Sequence, residues 1–400
     1  MNDPRTPSFM AKGLFTQLGF AAIPVLIILI ALLETLRFFP SFRLLTFGLT
    51  FLLLADIASL SRGKWRDALL VFASLVFGLT LIEAAANIME PKLLTITTSG
   101  SSVPQPIIGW GPQRAGRFHS EKTDTRTGAT IYSVDYTIDS NLLRETHSSA
   151  AAPTVAFFGD SMTFGVGIND AETLPQAFAD GFDRKLRVLN FAFIGHGPSQ
   201  FLRELETGIY DSLLGSQARL FVFMTAAWHA ERTACKASFV LHAPRYAFED
   251  DSVVYKGPCS EGMSLKLQEW LGNSAAYRSF IAPLRSKLRP DDVAFYIKIL
   301  ARAATLAKEK YGVPTLIPYL RVPEDYLRGT GFTNDAIIQR LRDGGAIVLD
   351  VSLEKEHAGG ARISIEGDGH PTPLANRLRA ELLERFIETQ APGALPSKTQ

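Results

Sequence analysis

Thr154-Val-Ala-Phe-Phe158 is a continuous apolar run that stops at Gly159-Asp160-Ser161-Met162-Thr163-Phe164-Gly165, and this junction decides the fold class. A short apolar run closed by glycine reads as a strand buried on both faces, as in a parallel sheet. Open α/β sheets hold their ligands at the carboxyl ends of such strands, so Ser161 stands where a nucleophile is useful. Glycine permits a sharp turn there, and the Ser161 amide is left to donate to an oxyanion. Gly, Asp and Ser also dominate ordinary turns, so the motif by itself reads first as a plain turn.

A second feature lies about two hundred residues on, where Gly367-Asp368-Gly369-His370-Pro371-Thr372-Pro373 precedes an amphipathic stretch from Leu374 to Phe386. A serine needs a base to take its proton, and the base needs a carboxylate to hold its tautomer. Of the seven histidines, His370 is the one in such a setting. The plain alternative has Asp368 capping a turn and His370 solvated on a loop.

In this order the two motifs resemble those of the SGNH (GDSL-type) hydrolase family, over about residues 105 to 390. Its first block, Gly-Asp-Ser-x-Thr-x-Gly, is met by Gly159, Asp160, Ser161, Thr163 and Gly165. The resemblance implies Ser161 as nucleophile, His370 as base and Asp368 as orienting acid. The family's usual Asp-x-x-His is here Asp368-x-His370. Its oxyanion glycine is matched in Val188-Leu-Asn-Phe-Ala-Phe-Ile-Gly195-His-Gly197, with Gly195 preferred to Gly197. The third block departs: in place of Gly-x-Asn-Asp the chain reads Thr225-Ala-Ala-Trp-His229-Ala-Glu-Arg232 after Leu220-Phe-Val-Phe-Met224. Loss of one oxyanion donor costs about 100- to 1000-fold in rate, so Thr225 and His229 are candidate substitutes, with packing as the alternative for His229. Gly195, Thr225, His229 and Asp160 thus form the candidate oxyanion and substrate-binding set.

Strand candidates fall at 154 to 158, 187 to 193, 219 to 224, 314 to 319 and 346 to 351. Helical patterns cover 171 to 182, 198 to 214, 292 to 311, 334 to 343 and 372 to 388. Strands alternating with helices predict a parallel sheet with right-handed crossovers, the three-layer α/β/α flavodoxin-like arrangement that the resemblance also implies. Ahead of it, Ile108-Gly-Trp-Gly-Pro112 and the alternating residues 129 to 139 suggest antiparallel strands packed beside the main sheet. An excursion over about 232 to 291 reads as a cap beside the site.

Residues 13 to 36, 44 to 60 and 68 to 89 are apolar and almost uncharged, and a helix crosses a bilayer with about 20 such residues. Glu34 and Glu83 read as boundary residues able to reach the interface, and Asp56 as a partner for Arg62 or Arg66. Five basic residues (Arg5, Lys12, Arg62, Lys64, Arg66) against three (Arg37, Arg43, Lys92) favour an inside amino terminus, which exports the chain beyond residue 90. The expected layout is a transmembrane region at 1 to 92, a linker and β-rich lead-in at 93 to 150, the hydrolase domain at 151 to 392 and a tail at 393 to 400.

Cys235 and Cys259 are the only cysteines, and in an oxidising compartment they could pair. A net charge of +1 gives no field to recruit nucleic acid, no Cys or His spacing matches a metal site, and no cofactor is expected. The expectation is a membrane-anchored serine esterase of a bacterial inner membrane with an extracytoplasmic domain. Its substrate would be an O-acyl group on a small molecule, a surface glycan or a lipid. The alternatives are an O-acyltransferase acting on cell-surface polysaccharide, or a non-catalytic glycan-binding member of an export assembly.

Overall fold

A computed structural model describes residues 6–36, 42–90, 93–98, 100–151, 153–250, 252–390 and 395, with side chains from residue 17 onward. Arg5, Arg37, Lys92, the Lys12 side chain and all of the 393–400 tail except Leu395 lie outside the described residues. Two compact units emerge: Met1–Pro91 with Gly262–Arg285, and Lys92–Glu261 with Ser286–Gln400.

In the first unit, α1 (Thr6–Leu36), α2 (Phe42–Leu60) and α3 (Gly63–Met89) are apolar on every side, as a helix facing lipid must be. Among the described residues these are the three helices long and apolar enough to cross a membrane, with mean hydropathies of 2.4, 1.6 and 2.2. Successive helices pack on one another, Phe51 meeting Phe77 at 5.1 Å between rings. Two of their carboxylates, near helix ends, are met by protein groups. Glu34 pairs with Arg43, which is itself buried. Glu83 is only 1% exposed and accepts from the Ser274 hydroxyl (2.6 Å) and the amides of Ala275 (2.7 Å) and Ala276 (3.1 Å). Burial without such partners would cost several kcal/mol, so donors come to it where water cannot. Arg66 pairs with Asp67 rather than Asp56, whose Oδ2 is buried without a hydrogen-bond partner.

The second unit opens with β1 (Leu93–Thr97), β2 (Val103–Gln105), β3 (Gly109–Gly111), β4 (Gly116–Asp124) and β5 (Thr130–Ile138). β2 and β3 form a hairpin, and β1, β4 and β5 an antiparallel sheet in that order. Alternation along β5 buries Tyr132, Val134, Tyr136 and Ile138. Isolated bridges from Ile138 to Arg144 and from Arg144 to Asn190 lead from β5 toward the main sheet. Arg144 is buried, donates to Asp170 (2.7 Å) and lies over the rings of Tyr136 and Phe164.

The main sheet comprises β6 (Thr154–Phe158), β7 (Arg187–Asn190), β8 (Ala218–Phe223), a two-residue β9 (Thr225–Ala226), β12 (Thr315–Leu320) and β13 (Ile347–Asp350), with the hairpin β10 (Pro244–Glu249) and β11 (Ser252–Pro258) intervening in sequence. Its strands are parallel in the order β13-β12-β8-β6-β7, with β9 beside β12. This is the flavodoxin-like order, with a switch point beside β6. β6 and β12 are buried at every position, as strands covered on both faces require. Helices Leu174–Gly181 and Pro373–Gln390 pack together, as do Pro198–Thr207 and Pro290–Tyr311, and supply the outer layers. Phe157, Phe158, Phe221 and Phe223 fill the core, each worth about 1.5–3 kcal/mol of burial.

The excursion after β9 divides. Its first part contains the hairpin and the Cys235–Cys259 disulfide, with Cα atoms 5.4 Å apart. Its second part, Gly262–Arg285, belongs to the unit of the membrane-length helices. The single excursion expected over 232 to 291 is therefore two segments in different units.

Candidate active site

Ser161 opens a one-turn helix, Ser161–Phe164, at the carboxyl end of β6. Gly159 has φ +144°, and a Cβ there would stand 2.7 Å from Thr163 Oγ1, so only glycine makes this turn. Asp160 caps the helix, its Oδ1 accepting from the Met162 amide at 2.9 Å.

The Ser161 hydroxyl lies 2.8 Å from His370 Nε2, and His370 Nδ1 hydrogen-bonds Asp368 Oδ2. A carboxylate can only accept, so Nδ1 carries the proton and Nε2 is left to accept from serine. The short Asp-x-His spacing works because Gly367 (φ +76°) and Gly369 (φ +91°) fold the loop back on itself. The Ile365 amide donates to the His370 carbonyl at 2.8 Å and closes that turn. Lys122 Nζ on β4 donates to Asp368 Oδ1 at 2.6 Å. Burial raises the Asp368 carboxyl, but the hydrogen bonds and charges of His370 and Lys122 outweigh it and hold it at about 2. The sheet order and this Ser-His-Asp arrangement, met in chain order at the first strand and before the last helix, fix the type. The chain has the fold of the SGNH hydrolases.

Gly195 (φ +80°) lines the same cavity as Ser161 and His370, about 670 Å³ in volume and walled by Trp110, Phe239 and Arg232 among others. Its Cβ would meet Trp110 and Phe239 at 3.3 Å. Gly197 instead caps helix Pro198–Thr207, its amide taken by Gln200 Oε1 at 2.9 Å.

Thr225 and His229 do not line the cavity. Both are buried beneath it, Thr225 Oγ1 lying 2.8 Å from His229 Nδ1 and 3.0 Å from the Tyr296 hydroxyl. His229 Nε2 meets Asp160 Oδ2 at 3.1 Å. Asp160 is likewise a buried supporting group: Arg232 Nη1 donates to its Oδ2 at 2.9 Å and to the His196 carbonyl at 2.7 Å. Burial opposes ionisation of Asp160, yet the Arg232 charge and the His229 hydrogen bond hold its carboxyl far below the usual range. Burial, and then the charge of Arg232, push the His229 imidazole down. Burial lowers His196 to about 4. Its Nε2 meets the Trp110 carbonyl at 2.9 Å, while the Trp110 indole donates to the Ile194 carbonyl at 2.7 Å, tying the lead-in to the Gly195 loop.

Arg232 and Lys122 are absent from the sequence-derived set. Arg232 had a signal: it follows His229 by three positions on the one-turn helix His229–Thr233, so both reach one side. Lys122 had none, being 246 residues from its partner. Among the described residues no group of three or more His, Cys, Asp or Glu is arranged to hold a metal ion.

Scanned against family profiles and against curated proteins, the chain matches none. It is similar to solved structures of a candidate SGNH hydrolase from Slackia heliotrinireducens (17% identity, 59% of this chain, 100% of that one, TM-score 0.32). It is similar also to the psychrotrophic esterase EstA from Pseudoalteromonas sp. (13%, 60%, 98%, 0.36). A third is a carbohydrate acetylesterase family member from Sinorhizobium meliloti (11%, 59%, 98%, 0.33).

Proposed function

We propose that this protein is a membrane-anchored serine esterase that removes an O-acyl group through an acyl-enzyme. The observation that carries the reading is the unbroken chain from the Ser161 hydroxyl through His370 to Asp368 at the wall of a cavity. His370 Nε2 takes the serine proton as Oγ attacks the acyl carbon. The amides of Ser161 and Gly195 face the resulting oxyanion. Collapse breaks the ester C–O bond, and His370 returns the proton to the departing alcohol. Water then repeats the sequence on the acyl-serine and releases the acid. Asp368 keeps Nδ1 protonated and stabilises the imidazolium in each half-reaction, and Lys122 holds Asp368 in place.

Arg232 is the cation on the cavity wall, and we assign it to negative charge on the substrate side in place of the third-block asparagine. A cavity of this size accommodates an acylated sugar or the head of an acylated lipid. The catalytic unit faces outward in this reading, supported by the charge balance of the loops and by the disulfide, which suits an oxidising compartment.

The test is labelling of the full-length protein by a fluorophosphonate that reacts only with activated serines. Labelling of the parent, lost in Ser161→Ala and His370→Ala, is the expected result. A folded parent that stays unlabelled but binds acetylated oligosaccharide would overturn catalysis in favour of a binding role.

A further inference from the structure

Helix Gly262–Gly272, together with the helical turns Tyr277–Ile281 and Ala282–Ser286, carries a surface unlike that of an aqueous loop. No residue of these elements is buried, although they are rich in large apolar side chains. Met263 is 77% exposed, Leu284 73%, Leu267 54%, Ile281 47% and Phe280 45%. Several polar groups of the same segment are met by the ends of the membrane-length helices. Glu83 of α3 receives the Ser274 hydroxyl and the Ala275 and Ala276 amides, and Glu90 receives Arg278 at 2.8 and 2.9 Å. Arg43 at the start of α2 donates to the Trp270 carbonyl at 3.1 Å and lies 4.5 Å from the Trp270 ring.

All these contacts fall at one end of the bundle: the end of α1 through Glu34, the start of α2, and the end of α3. The exposed apolar side chains of the segment thus belong to the same end of the bundle as Ile88 and Met89 at the end of α3, which are 80% and 70% exposed. An apolar helix face with a tryptophan beside it and basic side chains flanking it suits the boundary of hydrocarbon and headgroups, and Lys266 and Arg285 supply the basic groups.

We propose that Gly262–Arg285 is an interfacial element inserted in the outer part of the bilayer, with lipid as the occupant of its apolar face. The proposal rests on α1–α3 crossing the membrane. Its polar docking to α2 and α3 satisfies the backbone ends that a membrane environment would otherwise leave bare.

Single-cysteine nitroxide labels test it in the full-length protein in phosphatidylcholine–phosphatidylglycerol vesicles, since Cys235 and Cys259 are bonded to each other and do not react. Labels replace Leu267, Leu284, Phe72 of α3 and Glu354 of the hydrolase unit, all exposed. Oxygen is expected to relax the labels at 267, 284 and 72 more than a water-soluble nickel chelate does, and the order reverses at 354. If the label at 72 behaves as expected while those at 267 and 284 are relaxed by the chelate, or by neither agent, lipid contact of this segment is overturned and the spans stand. If 72 also prefers the chelate, the premise of a membrane-crossing bundle has failed.

Discussion

Asp368 and Glu83 are both nearly closed to solvent, and each accepts from more than one donor, but the donors differ in kind. Asp368 faces an imidazole and an ammonium, so its environment is electrical and changes when His370 gains a proton. Glu83 faces a hydroxyl and two backbone amides, which are neutral and fixed. The first arrangement can serve a charge that comes and goes, and the second can only hold one segment of chain against another. A buried carboxylate thus declares its work through its partners rather than its burial.

The sharpest way to break this contrast is at Asp368. Asp368→Asn preserves the shape but presents a donor to Nδ1, and hydrolysis of an activated ester should fall about 10,000-fold in kcat with the protein still folded. A loss under tenfold would return Asp368 to a turn cap. Next in size is Arg232→Met, which strands the buried charge of Asp160 and should cost about 3–5 kcal/mol in urea unfolding as well as activity. Glu83→Leu should destabilise by about 1–3 kcal/mol, because it leaves three donors unmet, yet leave kcat unchanged in the same vesicles. A change in kcat there would show that the two carboxylates are not separate in role.

The smallest effect concerns Lys122. A carboxyl depressed on folding contributes stability present above its ordinary value, 3.8 here, and lost as pH falls through its folded value of about 2. Lys122→Met removes one of the donors that lower Asp368, so the acid unfolding midpoint should move up by roughly half a unit. An unmoved midpoint would mean that His370 alone holds the carboxylate.

How far the sequence reaches depends on how local each signal is. β6 is bounded at both ends, because an apolar run and a glycine are both local, and the helix from 334 to 343 likewise. The strand expected at 187 to 193 stops at Asn190, since the chain leaves the sheet there to turn toward Gly195. Ser161, His370 and Asp368 are legible because glycine-framed loops mark them, and the structure brings those three together. Thr225 lies off the cavity and His229 takes its packing alternative, because a strand end does not reveal which side chain turns inward. The role of residues 262 to 285 stays hidden because its leucines and aromatics fit an ordinary packed cap as well as a membrane surface. Only the three-dimensional partners of Glu83 and Glu90 tie the segment to the unit of the membrane-length helices.

The chain passes between its two units at residues 91 to 92, at 261 to 262 and again at 285 to 286. A protease that cut once in the polar stretch around residues 95 to 102 would therefore shed nothing. The second unit would remain moored by the segment whose amides Glu83 holds, and release would take further cuts on either side of it. Fragments begun after residue 92 to obtain a soluble enzyme inherit the same mooring without its berth, with Ser274, Ala275 and Arg278 facing water and the apolar face of 262 to 285 free to aggregate. Removing that segment along with the spans is the route to a fragment that stays in solution.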